Sequence, residues 1–332
     1  MIGKNEQELL PQCLESIKWA DEIIFVDTGS TDRTVEIAQS YGARVYHHPW
    51  ENDFSLHRNQ SISYATGDWI LIIDCDETIK SDMTHFKKRL GKITEPVNGL
   101  VARIIEKDRS TSWLGIRFYR RSSGIQFKGI VHNKATYKGH CAATDIEIIH
   151  YGYSLDPVKM AAKRFRTESL LKQRLEKDDK DHAALYYMCQ LKIGEKNYDE
   201  AEGYGLRFFQ CVPVGPKNFE FYSVMYFYMA WIALNQNDGE KSYAWAMKGL
   251  EFYPNDVDLN YILARIGYQS KRDDILKQYG EKYLQIVDDL KNNDHDSGEF
   301  VQKINPDMWT NKTIYSLDDD SITGMQKMMG VL

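Results

Sequence analysis

The chain is poor in cysteine. Its five cysteines (Cys13, Cys75, Cys141, Cys189 and Cys211) are scattered, odd in number and never set as C-x-x-C. That pattern excludes a disulfide framework and a cysteine-built zinc site, and it fits reduced thiols. Long apolar runs are also missing: no stretch approaches the length that spans a bilayer. No basic-then-apolar leader opens the chain. Together these absences predict a cytoplasmic protein without a transmembrane segment. Positive charge is in deficit as well. Lys and Arg number 42 against 48 Asp and Glu, for a net charge of −6, which argues against a general nucleic-acid binder. What is present is globular: 332 residues, 42% hydrophobic and 27% charged, enough for two sizeable cores.

The most informative segment is Trp69-Ile70-Leu71-Ile72-Ile73-Asp74-Cys75-Asp76-Glu77. Its apolar run reads as a strand buried on both faces, the kind found inside a parallel sheet. Asp74 and Asp76 follow at its carboxyl end, where open α/β sheets hold ligands. Residues two apart in an extended chain share a side, so the two carboxylates converge. Such a pair repels itself unless a proton or cation lies between. A hard divalent ion bridged to phosphate is the candidate; a polar turn closing the strand is the plain alternative. Cys75 reads as a small core residue.

Around this segment the pattern alternates. A helical stripe at Leu9, Leu10, Cys13, Leu14 and Ile17 precedes a strand at Ile23–Val26. Asp27-Thr28-Gly29-Ser30-Thr31-Asp32 turns into a helix, with Ser30 or Thr31 as N-cap and Gly42 as the C′ residue. Arg44–His47 is the next strand, and a helix over Ser55–Ala65 leads to the apolar run that begins at Trp69. Later segments at 98–105, 116–121, 124–129 and 146–151 read as strands of a more mixed sheet. From Asp156-Pro157 the chain is helical. Three loose helix pairs alternate small residues with aromatics, as in tetratricopeptide repeats. The first spacing exceeds the usual ~34 residues, and an irregular helical domain is the alternative. The expected division is an α/β nucleotide-binding domain over 1–155, a repeat domain over 156–290, and a linker with a C-terminal docking helix over 291–332. The basic stretch Lys159–Lys177 reads as a solvated face, or as a dock for an acidic acceptor.

Asp27-Thr28-Gly29-Ser30 also occurs in aspartic proteases, which need two such aspartates. One copy, opening a helix, argues against that reading. Instead Asp27 lies at a strand end, placed to accept the imide N–H of a uracil ring, with Glu6 in reach of a ribose hydroxyl.

The ordered set Lys4-Asn5-Glu6, Asp21 to Asp32, Trp50 to Phe54, Arg58-Asn59 and Gly67 to Glu77 resembles glycosyltransferase family 2, the inverting enzymes of the GT-A (Rossmann-like) fold. The resemblance covers residues 1 to about 152. Phe127 to His132 and Ile148 to Tyr153 resemble a subgroup with appended tetratricopeptide-like helices, which includes peptide S- and O-glycosyltransferases of the sublancin-modifying type. The resemblance implies that Asp76 is the main ligand of Mn²⁺ or Mg²⁺ with Asp74 beside it. The metal would neutralise the leaving diphosphate of a nucleotide sugar, a UDP-sugar first. Arg58 would face the phosphates, or else form an ion pair. His150 is a candidate third metal ligand and His132 a ligand or the base that deprotonates the acceptor; a structural imidazole is the plain alternative for each. Two departures stand out. The first strand is short, and Asn133 replaces a family Glu after the Val-His pair, which shifts the base to His132, Glu106 or Asp108. The implied reaction moves a hexose or N-acetylhexosamine to a protein or peptide acceptor. A cell-envelope glycan or lipid-linked acceptor is the second reading, and a repeat-type binding module with a decayed transferase domain the third. The sequence leaves homo-oligomerisation open.

Overall fold

The computed structural model describes residues 1–94, 96–107, 112–152, 157–212, 222–293 and 319–330. It divides into two compact units, the first Met1–Lys163 and the second beginning at Arg164.

The first unit opens with β1 (Ile2–Gly3), α1 (Leu10–Ile17), β2 (Ile24–Asp27), α2 (Thr34–Ser40) and β3 (Arg44–His47). β1, β2 and β3 form a parallel three-stranded sheet. The helix–strand alternation gives the crossovers that parallel strands need. Helix α1 buries Leu10, Cys13, Leu14 and Ile17, the stripe expected from their spacing. Gly42 ends α2 with φ +77°. The N-cap expectation for α2 needs correction. The helix starts at Thr34 and Arg33 caps it without a side-chain bond, while Asp32 Oδ1 accepts from the Thr34 amide at 3.0 Å. Ser30 is engaged elsewhere, its Oγ accepting from the Asn5 amide.

The chain continues through α3 (Phe54–Ser63), β4 (Trp69–Leu71), β5 (Glu77–Ile79), α4 (Met83–Leu90), β6 (Val97–Glu106), β7 (Ser112–Arg120), β8 (Gln126–Lys128), β9 (Lys134–Thr136) and β10 (His140–His150). Five of these strands make a mixed sheet in the order β4-β7-β6-β10-β5, and β8 pairs with β9. Here the second correction falls. β4 is not an interior strand of a parallel sheet. It stands at the end of the five-stranded order and runs antiparallel to β7, Trp69 opposite Arg120, whose guanidinium lies 4.5 Å over the indole ring. A short apolar run reports burial but not the direction of its partner. A cavity of about 320 Å³ runs along β4 between Asp68 and Ile73, walled by Met1, Ile23 and Ile24. It stops short of Asp74 and Asp76.

The second unit is helical. Helix α5 (Pro157–Lys177) crosses the division; α6 (His182–Gly194), α7 (Tyr198–Cys211), α8 (Tyr222–Asn235), α9 (Gly239–Phe252), α10 (Val257–Gln269) and α11 (Asp273–Asn293) follow, with α12 (Asp319–Met328) last. Consecutive helices pack as α6 with α7, α8 with α9 and α10 with α11. The three intra-pair turns are copies of one another. Lys196, Asn237 and Lys271 each take φ near +60°. The amide of the following residue reaches back to the carbonyls of Lys192, Ala233 and Gly267 respectively, which is the Schellman pattern. The step from the first turn to the second is longer than that to the third, as the sequence spacing indicated. Aromatic residues fill the core, with Phe208, Tyr226 and Tyr283 at most 1% exposed. Helix α12 packs on α10 and α11 through Met325, which is fully buried. The expected linker falls largely on 294–318, outside the described residues. Within the basic stretch Lys159–Lys177, Lys172 pairs with Glu168 and Arg174 with Asp181, so its charge is partly balanced internally.

Candidate active site

The site is assembled where several strands end. β6 finishes at Glu106 and the parallel β10 at His150, and the two residues are direct partners across the ladder. On the other side of β10, His150 is opposite Glu77, the first residue of β5. Opposed residues present side chains to one face, so register alone lines up Glu106, His150 and Glu77. The turn after β4 brings Asp74 and Asp76 to the same end. Cys75, between them, points away into the core. Its Sγ lies 3.3 Å from the carbonyl of Ile2, and burial holds its thiol well above the usual range. The turn is fixed by two backbone contacts. The Asp74 amide donates to Glu77 Oε2 at 3.0 Å, and the Tyr151 amide donates to the Asp76 carbonyl at 2.8 Å.

The carboxylates are partnered differently. Arg58, on α3, donates from Nη2 to both oxygens of Asp74, at 2.9 and 3.1 Å. Burial would raise the Asp74 pKa; Arg58 and then Arg117 outweigh it and hold the group below the usual carboxylate range. Asp74 and Arg58, read from the sequence as a metal ligand and a phosphate contact, are therefore paired with each other. Glu77 is 1% exposed and pairs with Arg117 of β7. Burial raises its pKa, and repulsion from Asp74 adds to the rise against the pull of Arg117. Asp76 has no guanidinium partner among the described contacts; its Oδ2 lies 3.5 Å from His150 Nε2. The other ring nitrogen, Nδ1, is 3.1 and 3.3 Å from the Glu106 oxygens. Burial opposes protonation of His150, but Asp76 and then Glu106 win and raise its pKa.

Two of the four carboxylates are matched to guanidiniums, Asp74 to Arg58 and Glu77 to Arg117, while Asp76 and Glu106 lie on the two nitrogens of His150. Among the described residues no group of three or more His, Cys, Asp or Glu forms a ready-made metal cage. Asp76 and His150 offer two donors, an arrangement that suits a hard cation completing its shell with phosphate oxygens and water. Sequence reasoning missed Arg117. The signal was available, as a lone arginine inside the apolar run of β7.

The description "Glycosyl transferase family 2" fits residues 1–151 in a comparison with family models. Those residues belong to that family. A TPR repeat-containing protein of Synechococcus elongatus is 33% identical over 212 residues, 58% of this chain and 50% of the relative. The SPbeta prophage-derived glycosyltransferase SunS of Bacillus subtilis is 26% identical over 197 residues, 56% of this chain and 47% of the relative. An uncharacterized glycosyltransferase of Rickettsia bellii is 39% identical over 84 residues, a quarter of this chain. The chain thus spans about half the length of the first two relatives.

Within the family 2 domain the remaining expected residues fall in two places. Asp27, 4% exposed, closes its own turn by accepting from the Gly29 and Ser30 amides, and lies 3.2 Å from His47 Nδ1. Burial would raise its pKa; the Ser30 bonds and His47 lower it. Glu6 is half-buried in a loop stitched to the same region, its amide donating to Thr34 Oγ1 at 2.7 Å and the Thr31 amide donating to Asn5 Oδ1 at 2.8 Å. His132 lies on the loop between β8 and β9, exposed, with φ +48°. That loop is pinned to the start of α3, where Ser55 Oγ donates to the Gly129 carbonyl. Asn59 clamps α3 to β8 through both its amide atoms and the backbone of Phe127, a structural role. Asp108 lies outside the described residues. No helix among the described residues is long and apolar enough to cross a membrane.

Proposed function

We propose that the chain is a metal-dependent, inverting glycosyltransferase that moves a hexose or N-acetylhexosamine from a UDP-sugar to a protein or peptide. The observation that carries this reading is the line Asp76–His150–Glu106, which brings the turn after β4 to the ends of β10 and β6. Asp76 Oδ2 and His150 Nε2 would hold Mn²⁺ or Mg²⁺. A bound divalent ion supplies Lewis-acid charge to the departing diphosphate. Arg58 keeps Asp74 ionised and fixed, so that the turn presents Asp76 in one orientation. Asp27, at the end of β2, and Glu6, in the loop after β1, would contact the base and ribose of the nucleotide. His132 is the proposed base: a ring nitrogen takes the proton of the acceptor hydroxyl or thiol as the acceptor atom attacks the sugar opposite the leaving group. Its left-handed backbone is the kind of local strain that recurs at functional positions. The stacked helix pairs of the second unit support a polypeptide acceptor, since such stacks present extended surfaces.

The test is slow hydrolysis of UDP-sugars without acceptor. It should require Mn²⁺ or Mg²⁺ and disappear in Asp76→Asn. Turnover unaffected by chelator, or retained by that variant, overturns the reading. A mass shift on candidate polypeptides, as against glycans, separates the acceptors.

A further inference from the structure

We infer that Glu106 is a positioning residue that holds the His150 ring with its proton on Nδ1, so that the Nε2 lone pair faces Asp76 and the cation. The inference rests on the proposed metal-dependent reading, and it assigns Glu106 a part other than the general base considered from the sequence.

Three observations carry it. First, the contact is imposed by backbone register. Glu106 and His150 are paired across parallel strands, so their side chains meet without help from a flexible loop. Second, Glu106 is 7% exposed and both its oxygens lie within 3.3 Å of Nδ1. A carboxylate so placed accepts from the ring and is poorly placed to reach an incoming acceptor. Third, the far nitrogen is confined. A Cβ built on Gly152 would lie 2.6 Å from His150 Nε2 and 2.4 Å from Asp76 Oδ2. Only glycine leaves the pair its room. Trp113 closes another side, edge-on to the imidazole at 5.9 Å. The ring is therefore held at Nδ1, and the missing side chain of Gly152 keeps Nε2 and Asp76 Oδ2 side by side. Imidazole ligands are commonly oriented by such a second hydrogen bond to a carboxylate, and its loss typically weakens metal binding about 10- to 100-fold.

The test uses the full chain with ¹⁵N-labelled histidine and two variants. Glu106→Gln keeps an acceptor oxygen opposite Nδ1; Glu106→Ala removes it. Mn²⁺ affinity is measured by electron paramagnetic resonance, and the His150 tautomer by long-range ¹H–¹⁵N spectra followed up a pH series until the ring is neutral. In the wild type the neutral ring should carry its proton on Nδ1. Glu106→Ala should lose that tautomer and bind Mn²⁺ about 10- to 100-fold more weakly. Glu106→Gln should keep the tautomer and recover most of the affinity. Unchanged affinity and tautomer in Glu106→Ala overturn the inference; if that variant does not fold, loss of the tautomer in Glu106→Gln does so. Absence of Mn²⁺ binding in the wild type overturns the metal reading instead, and the tautomer still decides the part played by Glu106.

Discussion

Gly152 is the residue whose chemistry is defined by having none. Its amide plane runs past Asp76 and His150 so closely that one methyl group would collide with both. Gly152→Ala should lower Mn²⁺ affinity at least about tenfold, comparable to loss of an outer-shell partner, with the helical circular dichroism unchanged. Equal affinity would show that the pair has slack. A second residue-scale prediction concerns Asp181 in the helical unit. It caps α6 through the Ala184 amide and pairs with Arg174 through both oxygens. Burial would raise its pKa, but Arg174 and the cap lower it below the ordinary 3.8. A depressed folded pKa contributes stability above the unfolded value and loses it as pH falls through the folded one. Urea titrations should show Asp181→Ala destabilised by about 2 kcal/mol at neutral pH, from the lost cap and the lost charge-assisted bonds to Arg174. That deficit should shrink as pH falls below the ordinary carboxylate value and through the lower one of the folded protein. A deficit independent of pH would assign the effect to packing instead. Single residues were legible where chemistry is local. Asp74 and Asp76 stand out in the sequence by their neighbours and His150 by the family motif around it, but the side chain that each meets does not. Arg58 and Asp74 are sixteen positions apart, and only the packing of α3 on the strand ends makes them a pair.

Elements were legible where period and punctuation agree. Arg44–His47 has the bounds expected, and Gly42 ends its helix as its type demands. Missed elements lacked one or the other. β5 begins on the buried charge of Glu77, and β9 is an exposed three-residue strand. The three intra-pair turns of the second unit use Lys196, Asn237 and Lys271 in left-handed backbone, so the glycine that marks most such turns is absent. Packing at glycines sets two further outcomes. Gly203, in α7, is exposed and has open space around a built Cβ. Gly203→Ala should therefore stabilise by about 0.5–1 kcal/mol in urea denaturation. Gly267, in α10, faces the backbone amide of Leu276 at 2.5 Å from a built Cβ. Gly267→Ala should destabilise by about 1–3 kcal/mol, since main chain cannot step aside as a side chain does. The reverse order of these two variants would contradict the α10–α11 crossing.

At the scale of the molecule, the α/β unit followed by a helical-repeat unit was legible because hydrophobic period changes near Asp156. The wiring of the sheets was not. Which strand lies beside β4, and in which direction, depends on contacts between distant segments, and an apolar run reads alike in either orientation. The consequence is functional. The acid pair does not end an interior parallel strand; it occupies the turn between β4 and β5, the two end strands of the five-stranded sheet, with one carboxylate given to Arg58 and the other to His150. The central claim is that this second arrangement, Asp76 with His150, holds a divalent cation that anchors the diphosphate. Calorimetric titration of UDP into the full chain, with and without Mn²⁺, tests it most directly. The account predicts UDP binding that requires Mn²⁺ and is abolished in Asp76→Asn at unchanged melting temperature. UDP binding that is equally tight without Mn²⁺, or undiminished in that variant, would contradict it.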